Sequence, residues 1–416
     1  MEYGCIGEHL SHSFSREIHN ALADYKYELL EIERENLEAF FQKRDFKAIN
    51  VTIPYKQDII PFLDEISPEA QSINAVNTVV NRNGRLYGYN TDFYGLKALI
   101  ERQNITLKDK RVLVLGGGGT SNTAYAVARF MGAKEIVRVS RSPKEGYVTY
   151  EEVYEGYTDF QIIINTTPCG MFPDIGRSAL DLSGFKSLEG VFDAVYNPLK
   201  SKLVCDAKAL GVAATGGLYM LVSQAAFAVE KFLDTPVDNA KTEAIFQKLY
   251  KDKMNIVLVG MPGSGKTTVA KALAQSLSRT FVDTDDLIVE SRGKPIPQIF
   301  TEIGESGFRQ IEKDEVFKVS SGNNQVVATG GGAILDKANT DILKENGRIY
   351  FINRPLSMLV ATDDRPLSRD AEALRRRYEE RYSLYLECAD VVIDGSGSVS
   401  EVVKGIEADF NEYSCD

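Results

Sequence analysis

Short, nearly continuous apolar runs recur along this chain, separated by longer stretches with the apolar spacing of helices. Arg111–Leu115, Glu135–Val139, Gln161–Asn165, Gly190–Asp193, Asn255–Val259, Val326–Thr329 and Arg348–Ile352 have the length of strands. A strand that is apolar on successive positions is one covered on both faces. Strands alternating with helices therefore predict parallel sheets in an α/β fold.

Two of these runs lead straight into glycines, Arg-Val-Leu-Val-Leu into Gly116 and Asn-Ile-Val-Leu-Val into Gly260. Each has the form of the first strand of a nucleotide-binding unit. The residues ahead of Gly116 suffice for a small domain of their own. Between the two units, the helical stretch Asp238–Tyr250 ends in Lys251-Asp252-Lys253, the expected boundary. The expected division is an N-terminal α/β substrate domain over 1–100, a Rossmann-like domain over 101–250, and a P-loop domain with a parallel sheet over 254–416. The helices of 218–250 are expected to return to the first domain. No motif straddles the boundary, so the two halves are expected to be separable.

The length of 416 residues agrees with more than one domain, and 44% apolar with 26% charged residues is ordinary globular composition. A net charge of −11 argues against nucleic acid or anionic membrane as a partner, since both need a basic face. Small molecules are the expected partners; monomer and homodimer both stay open. The first residues lack a cationic stretch leading into an apolar one, and the longest mostly apolar run, Leu218 to Val229, is too short to cross a bilayer. Five scattered cysteines without a Cys-x-x-Cys pair fit a reduced, cytoplasmic protein. His9, His12 and His19 crowd the N-terminus without the cysteine or carboxylate partners of a metal site, and read as loop and helix-start residues.

Gly260-Met-Pro-Gly263-Ser264-Gly265-Lys266-Thr267-Thr268 is a Walker A pattern between a strand and a helical stretch. Its glycines let backbone N–H groups wrap phosphates at a helix N-terminus. Lys266 brings a charge to the transferred phosphoryl group, and Thr267 a hydroxyl for Mg²⁺. The motif by itself leaves kinase, ATPase and GTPase open. Asp283-Thr284-Asp285 follows the next apolar run, and beyond it come Gly307-Phe308-Arg309-Gln310-Ile311-Glu312, Gly330-Gly331-Gly332, Arg365-Pro366-Leu367 and Arg381-Tyr-Ser-Leu-Tyr385. In this order, over residues 254–416, the set resembles shikimate kinase. The resemblance implies that Asp283 and Thr267 serve the Mg²⁺ shell and that Asp285 binds the attacking hydroxyl. It assigns Arg309 and Arg381 to the substrate carboxylate and the Gly330–Gly332 backbone to the substrate ring. Arg365 would reach the phosphates of ATP from a lid. The segment before Arg365 is shorter than the family's and lacks the arginine that often packs on adenine there.

Gly116-Gly117-Gly118-Gly119-Thr120-Ser121 is a looser fingerprint, with Ser121 where the last glycine usually stands. The next strand ends in Ser140-Arg141-Ser142, with Lys144 close behind, where NAD-binding folds commonly carry a carboxylate. Hydroxyls and a guanidinium would accept a 2′-phosphate that a carboxylate would repel, so NADP(H) is the expected cofactor.

Ser11-His12-Ser13-Phe14-Ser15, Asn50-Val-Thr52-Ile-Pro-Tyr-Lys56, Ala75-Val-Asn77-Thr78 and Gly88-Tyr-Asn-Thr91-Asp92 precede this fingerprint. Asn165-Thr-Thr-Pro168, Asp193-Ala-Val-Tyr196-Asn-Pro198 and Gly217-Leu-Tyr-Met-Leu-Val-Ser-Gln224 follow it. Across residues 1–250 the set resembles shikimate dehydrogenase. The resemblance implies a proton-handling pair in Lys56 and Asp92, and substrate contacts from Ser13, Ser15, Thr52, Asn77 and Gln224 with Asn50 nearby. Phe14 stands where some relatives have lysine. Both halves then point to one metabolite, a ketone reduced by the first and the new hydroxyl phosphorylated by the second. A quinate dehydrogenase joined to another small-polyol kinase, and a nucleotide-sensing regulator, are the alternative readings.

Overall fold

The computed structural model describes residues 1–10, 14–359 and 371–415. Within them the chain builds three sheets. The first contains β1 (Tyr3–Gly7), β2 (Tyr27–Glu31), β3 (Ala48–Val51), β4 (Glu65–Ile66), β5 (Thr78–Arg82) and β6 (Arg85–Tyr89), in the order β2-β1-β3-β5-β6-β4. It is mixed: β5 runs antiparallel to β3 and β6, while the other pairs are parallel.

The second sheet contains β7 (Arg111–Leu115), β8 (Glu135–Val139), β9 (Ile162–Asn165), β10 (Gly190–Asp193) and β11 (Ala213–Thr215), all parallel, in the order β11-β10-β9-β7-β8. The third contains β12 (Asn255–Val259), β13 (Thr280–Asp283), β14 (Gln325–Ala328), β15 (Gly347–Asn353) and β16 (Val391–Asp394), also all parallel, in the order β13-β14-β12-β15-β16. Every residue of β9, β10 and β12 is buried, the physical counterpart of their uninterrupted apolar runs. In each parallel sheet the strand leading into the glycines, β7 or β12, lies between two neighbours where the chain order reverses. Open α/β sheets leave a ligand crevice at the carboxyl ends of strands at such a point.

The helix Leu218–Leu233 leaves the second sheet and packs on β3 and β5 of the first and on the helix Thr91–Arg102. Gly95 makes this approach possible, since a Cβ there would lie 2.7 Å from the Met220 carbonyl oxygen and 2.8 Å from Gln224 Cβ.

The charged stretch expected to separate the halves is instead the last turn of the helix Asn239–Lys253, and Met254 alone intervenes before β12. One apolar core spans this junction. Ile18, Leu22, Val222, Phe246, Leu249 and Tyr250 share it with Ile256, Leu258, Leu273, Ile406 and Phe410. Hydrogen bonds close it on two sides. Cys415 receives Arg102 Nη2 and Gln247 Nε2 on its carbonyl, each at 2.8 Å, and its N–H donates to Gln247 Oε1 at 2.9 Å. On the other side the N–H groups of Gly176, Leu199 and Lys200 donate to Glu345 Oε2, Asn346 Oδ1 and the Glu345 carbonyl oxygen. The separable halves expected from the motifs thus share packed apolar surface, because the face of the helix Asn239–Lys253 is covered by residues far away in the chain. No helix among the described residues is long and apolar enough to cross a membrane.

Candidate active sites

The first cleft opens where β3, β5 and two helix starts converge. Asn90 caps the helix Thr91–Arg102 by accepting from Phe93 N–H, which puts Asp92 in its first turn. Lys56 follows the turn after β3, its carbonyl held by Val76 N–H at 2.8 Å, and its ammonium donates to Asp92 Oδ2 at 2.6 Å. Both side chains remain partly exposed, 27% and 19%, so the ion pair faces the cleft rather than the core.

Asn77 is buried beside them, and its Oδ1 accepts from Thr91 N–H at 2.7 Å. Thr91 Oγ1 in turn lies 3.4 Å from Gln224 Oε1, so the returning helix completes this wall. Asn50 has another task. Its Oδ1 accepts from Tyr27 OH and its Nδ2 donates to Asn77 O and Thr78 Oγ1, which locks β3 to β5 and leaves the amide engaged with protein. Thr52 lies at the exit of β3, its N–H bonded to Ile6 O and its carbonyl to Tyr55 N–H. Ser15 begins the helix Ser15–Leu22 and Phe14 caps it, packed edge-on against Tyr196 with Lys253 over the ring face. Ser13 lies outside the described residues. His19 stacks on Tyr27 and shares a 2.7 Å hydrogen bond with Tyr25, and burial pushes its imidazole down to about 3.

A cavity of about 690 Å³ lies at the carboxyl end of β7, lined by Gly116–Gly118, Ser140, Arg141, Ser142, Thr166 and Arg177 among others. Gly116 has φ +115°, and a Cβ there would meet Thr166 Oγ1 at 2.7 Å, so only glycine makes this turn. Gly118 and Gly119 face open space, and the helix Gly119–Phe130 starts over the cavity with Thr120 in its first turn. Ser121 is fully buried behind it, small enough for the position of the missing glycine. Arg141 makes no ion pair among the described residues. Asp193 anchors the neighbouring loop by accepting from Asn165 Nδ2, Val195 N–H and Ser201 Oγ, and burial raises its carboxyl to about 6.

The third site surrounds the loop after β12. Gly260, Gly263 and Gly265 have φ of +152°, +81° and +87°, conformations that L side chains rarely adopt. Lys266 Nζ folds onto the Gly260 and Met261 carbonyls at 2.8 and 3.0 Å, and Ser264 Oγ is buried without a partner among the described residues. Thr267 and Thr268 open the helix Lys266–Ser276. Thr267 Oγ1 donates to Asp283 Oδ2 at 2.8 Å, and Asp283 also caps the next helix through Asp285 N–H.

The three consecutive glycines are explained by their neighbours. A Cβ on Gly330 would lie 2.6 Å from Asp285 Oδ1, one on Gly331 2.9 Å from Pro262, and one on Gly332 would run into the Arg309 guanidinium. Arg309 is held by Glu312 at 2.6 Å, and burial raises the Glu312 carboxyl against the pull of Arg309. Arg381 is 7% exposed; its Nη1 donates to Gly331 O at 3.0 Å, and its Nε has no partner among the described residues. Asp285, Arg309 and Arg381 therefore converge on one glycine-lined floor beside the phosphate loop. Arg365 lies outside the described residues.

Residues 5–79 match the shikimate dehydrogenase substrate binding domain, and residues 262–410 match the shikimate kinase family. A shikimate dehydrogenase (NADP(+)) of Clostridium beijerinckii is 38% identical over 261 residues, which cover 59% of this chain and 96% of that protein. The chain belongs to the shikimate dehydrogenase family. The crystal structure of a chorismate mutase/shikimate 5-dehydrogenase fusion protein from Clostridium acetobutylicum superposes with a TM-score of 0.57 at 33% identity, covering 59% of this chain and 96% of that one. A Thermus thermophilus shikimate 5-dehydrogenase, solved with NADP(H) and shikimate, gives 0.54 at 29% identity, covering 60% and 99%. Behind this shikimate dehydrogenase the chain carries a shikimate kinase domain, so it is a bifunctional enzyme of the shikimate pathway.

Glu312 and Arg177 were not assigned a role from sequence. Glu312 sits inside the motif around Arg309, and a carboxylate three residues after an arginine on a helix is a readable signal. Arg177 belongs to a loop remote from the glycine fingerprint in sequence and offers no such sign.

Proposed function

We propose that the first half reduces 3-dehydroshikimate to shikimate with NADPH and the second phosphorylates shikimate to shikimate 3-phosphate with ATP and Mg²⁺. The observation that carries this reading is Arg381. It is a buried guanidinium whose Nε has no partner among the described residues, next to Arg309 and Asp285, in the same chain as a partly exposed Lys56–Asp92 pair. A buried cation left half-satisfied is costly, and a carboxylate arriving between two arginines would relieve it.

NADPH, when bound, supplies hydride to the C3 ketone. The oxygen that gains the electron pair takes a proton from the Lys56 ammonium, and Asp92 holds that ammonium in place and keeps it charged. Asn77 and Gln224 position the ring, Ser13, Ser15 and Thr52 serve the substrate's carboxylate side, and Asn50 acts by keeping Asn77 in register. Gly116–Gly119, Thr120 and Ser121 would take the pyrophosphate, and Ser140, Arg141 and Ser142 the 2′-phosphate.

In the kinase, Asp285 accepts the proton of the attacking hydroxyl, Lys266 neutralises charge on the transferred phosphoryl group, and Thr267 and Asp283 would hold Mg²⁺. The division of labour follows the sheets. Residues 1–100 with 218–250 bind substrate, 101–217 cofactor, and 254–416 form the kinase, in a reduced cytoplasmic setting that suits scattered cysteines without a Cys-x-x-Cys pair. The test supplies 3-dehydroshikimate, NADPH, ATP and Mg²⁺ and identifies products by mass. Shikimate 3-phosphate is the expected product; consumption of neither nucleotide sinks the reading, and preference for quinate or another polyol replaces its substrate.

A further inference from the structure

Arg354 follows β15, the strand paired with β12 on the side away from β14. Its guanidinium lies against the phosphate loop, since a Cβ on Gly265 would sit 3.7 Å from Arg354 Nη1. Its backbone touches the turn after β16, where a Cβ on Gly395 would lie 3.1 Å from Arg354 N. The residue is only partly exposed, and Nε is buried without a hydrogen-bond partner among the described residues. Among the described residues no carboxylate pairs with it.

The location gathers positive charge at one end of the phosphate loop. Gly265 is the N-cap of the helix Lys266–Ser276, whose first N–H groups carry partial positive charge and have no side-chain cap. The buried ammonium of Lys266 lies on the same loop. Among the described residues, no carboxylate offsets a guanidinium placed beside a helix N-terminus and a lysine. The guanidinium gains strongly once an anion arrives, because all three then face opposite charge.

We propose that Arg354 is a nucleotide-binding residue, giving the phosphate chain of ATP a charge-assisted contact in addition to that of Lys266. This rests on the reading of the C-terminal half as an ATP-dependent kinase.

The test measures ATP and adenosine binding by calorimetry on the full chain, with KM values for ATP and shikimate, for the wild type, Arg354→Gln and Arg354→Lys. Arg354→Gln is expected to weaken ATP about tenfold to a hundredfold, the range for losing a charge-assisted hydrogen bond. Adenosine affinity, shikimate KM and dehydrogenase activity should stay within twofold. Arg354→Lys, which keeps a charge, should recover part of the loss. A wild type that fails to bind ATP would overturn the kinase reading itself. ATP binding unchanged in Arg354→Gln, equal losses for ATP and adenosine, or an Arg354→Lys as impaired as Arg354→Gln would each overturn the role of Arg354 alone.

Discussion

Cutting the chain between Lys253 and Met254 tests the shared core directly. Residues 1–253 keep every motif of the dehydrogenase but lose what covers the helix Asn239–Lys253. Tyr250, 4% exposed in the intact chain, loses Tyr413, whose ring centroid lies 6.4 Å from its own. Uncovering a large apolar side chain costs about 2 kcal/mol. Arg102 and Gln247 keep Glu243 but lose the carbonyl and N–H of Cys415, and each of these three lost hydrogen bonds costs about 1 kcal/mol net. The sum is about 5 kcal/mol, against a total stability of roughly 5–15 kcal/mol for a domain. In urea, with m at the upper end of the usual range of about 1–3 kcal/mol/M for a unit of this size, a loss of that size lowers the midpoint by about 2 M. The assay follows loss of dehydrogenase activity with urea in the intact chain and in the 1–253 fragment. An equal midpoint in both would show that the shared core contributes nothing to the dehydrogenase, and would refute the argument.

Three further outcomes follow from the sites. Lys56→Ala should lower the dehydrogenase kcat by about 10²–10⁴-fold while kinase turnover stays near normal, as expected for loss of a positioned acid; retention of more than about a tenth of the rate removes Lys56 from that role. Arg141→Ala should raise the KM for NADPH about tenfold or more and that for NADH little, since only the former carries a 2′-phosphate; equal changes would show that Arg141 does not read it. Arg381→Lys should raise the shikimate KM of the kinase despite the retained charge, because an ammonium cannot make the planar two-point contact; an unchanged KM would move Arg381 out of the site.

Much of this protein was legible from local pattern. The strands β7, β8, β10 and β12 occupy the residues their apolar runs marked; β7, β10 and β12 are buried almost throughout, as a strand covered on both faces must be, while β8, at the sheet edge and only partly buried, is marked by its β-branched residues. The N-terminal sheet was harder to read. Its strands are short and half-exposed in places, as in β2 and β4, so no continuous run announces them. The glycines at 116, 260 and 265 were visible as turn residues because their constraint is backbone geometry within the loop itself. The triplet at 330–332 was visible as a motif, but its reason was not: Asp285, Pro262 and Arg309 fill the space its side chains would take, and they come from three other segments.

The sequence by itself determined two nucleotide-binding units and their order, and it marked Lys56, Asp92, Lys266 and Asp285 as the candidates for chemistry, since these depend on residue type within short motifs. Only the tertiary structure decided that Asn50 braces Asn77, that Arg354 lies against the phosphate loop, and that the two halves share a core. Each of those is a contact between residues distant in the chain. Burial, partner and charge environment at such positions are properties of the packed fold, and no local pattern encodes them.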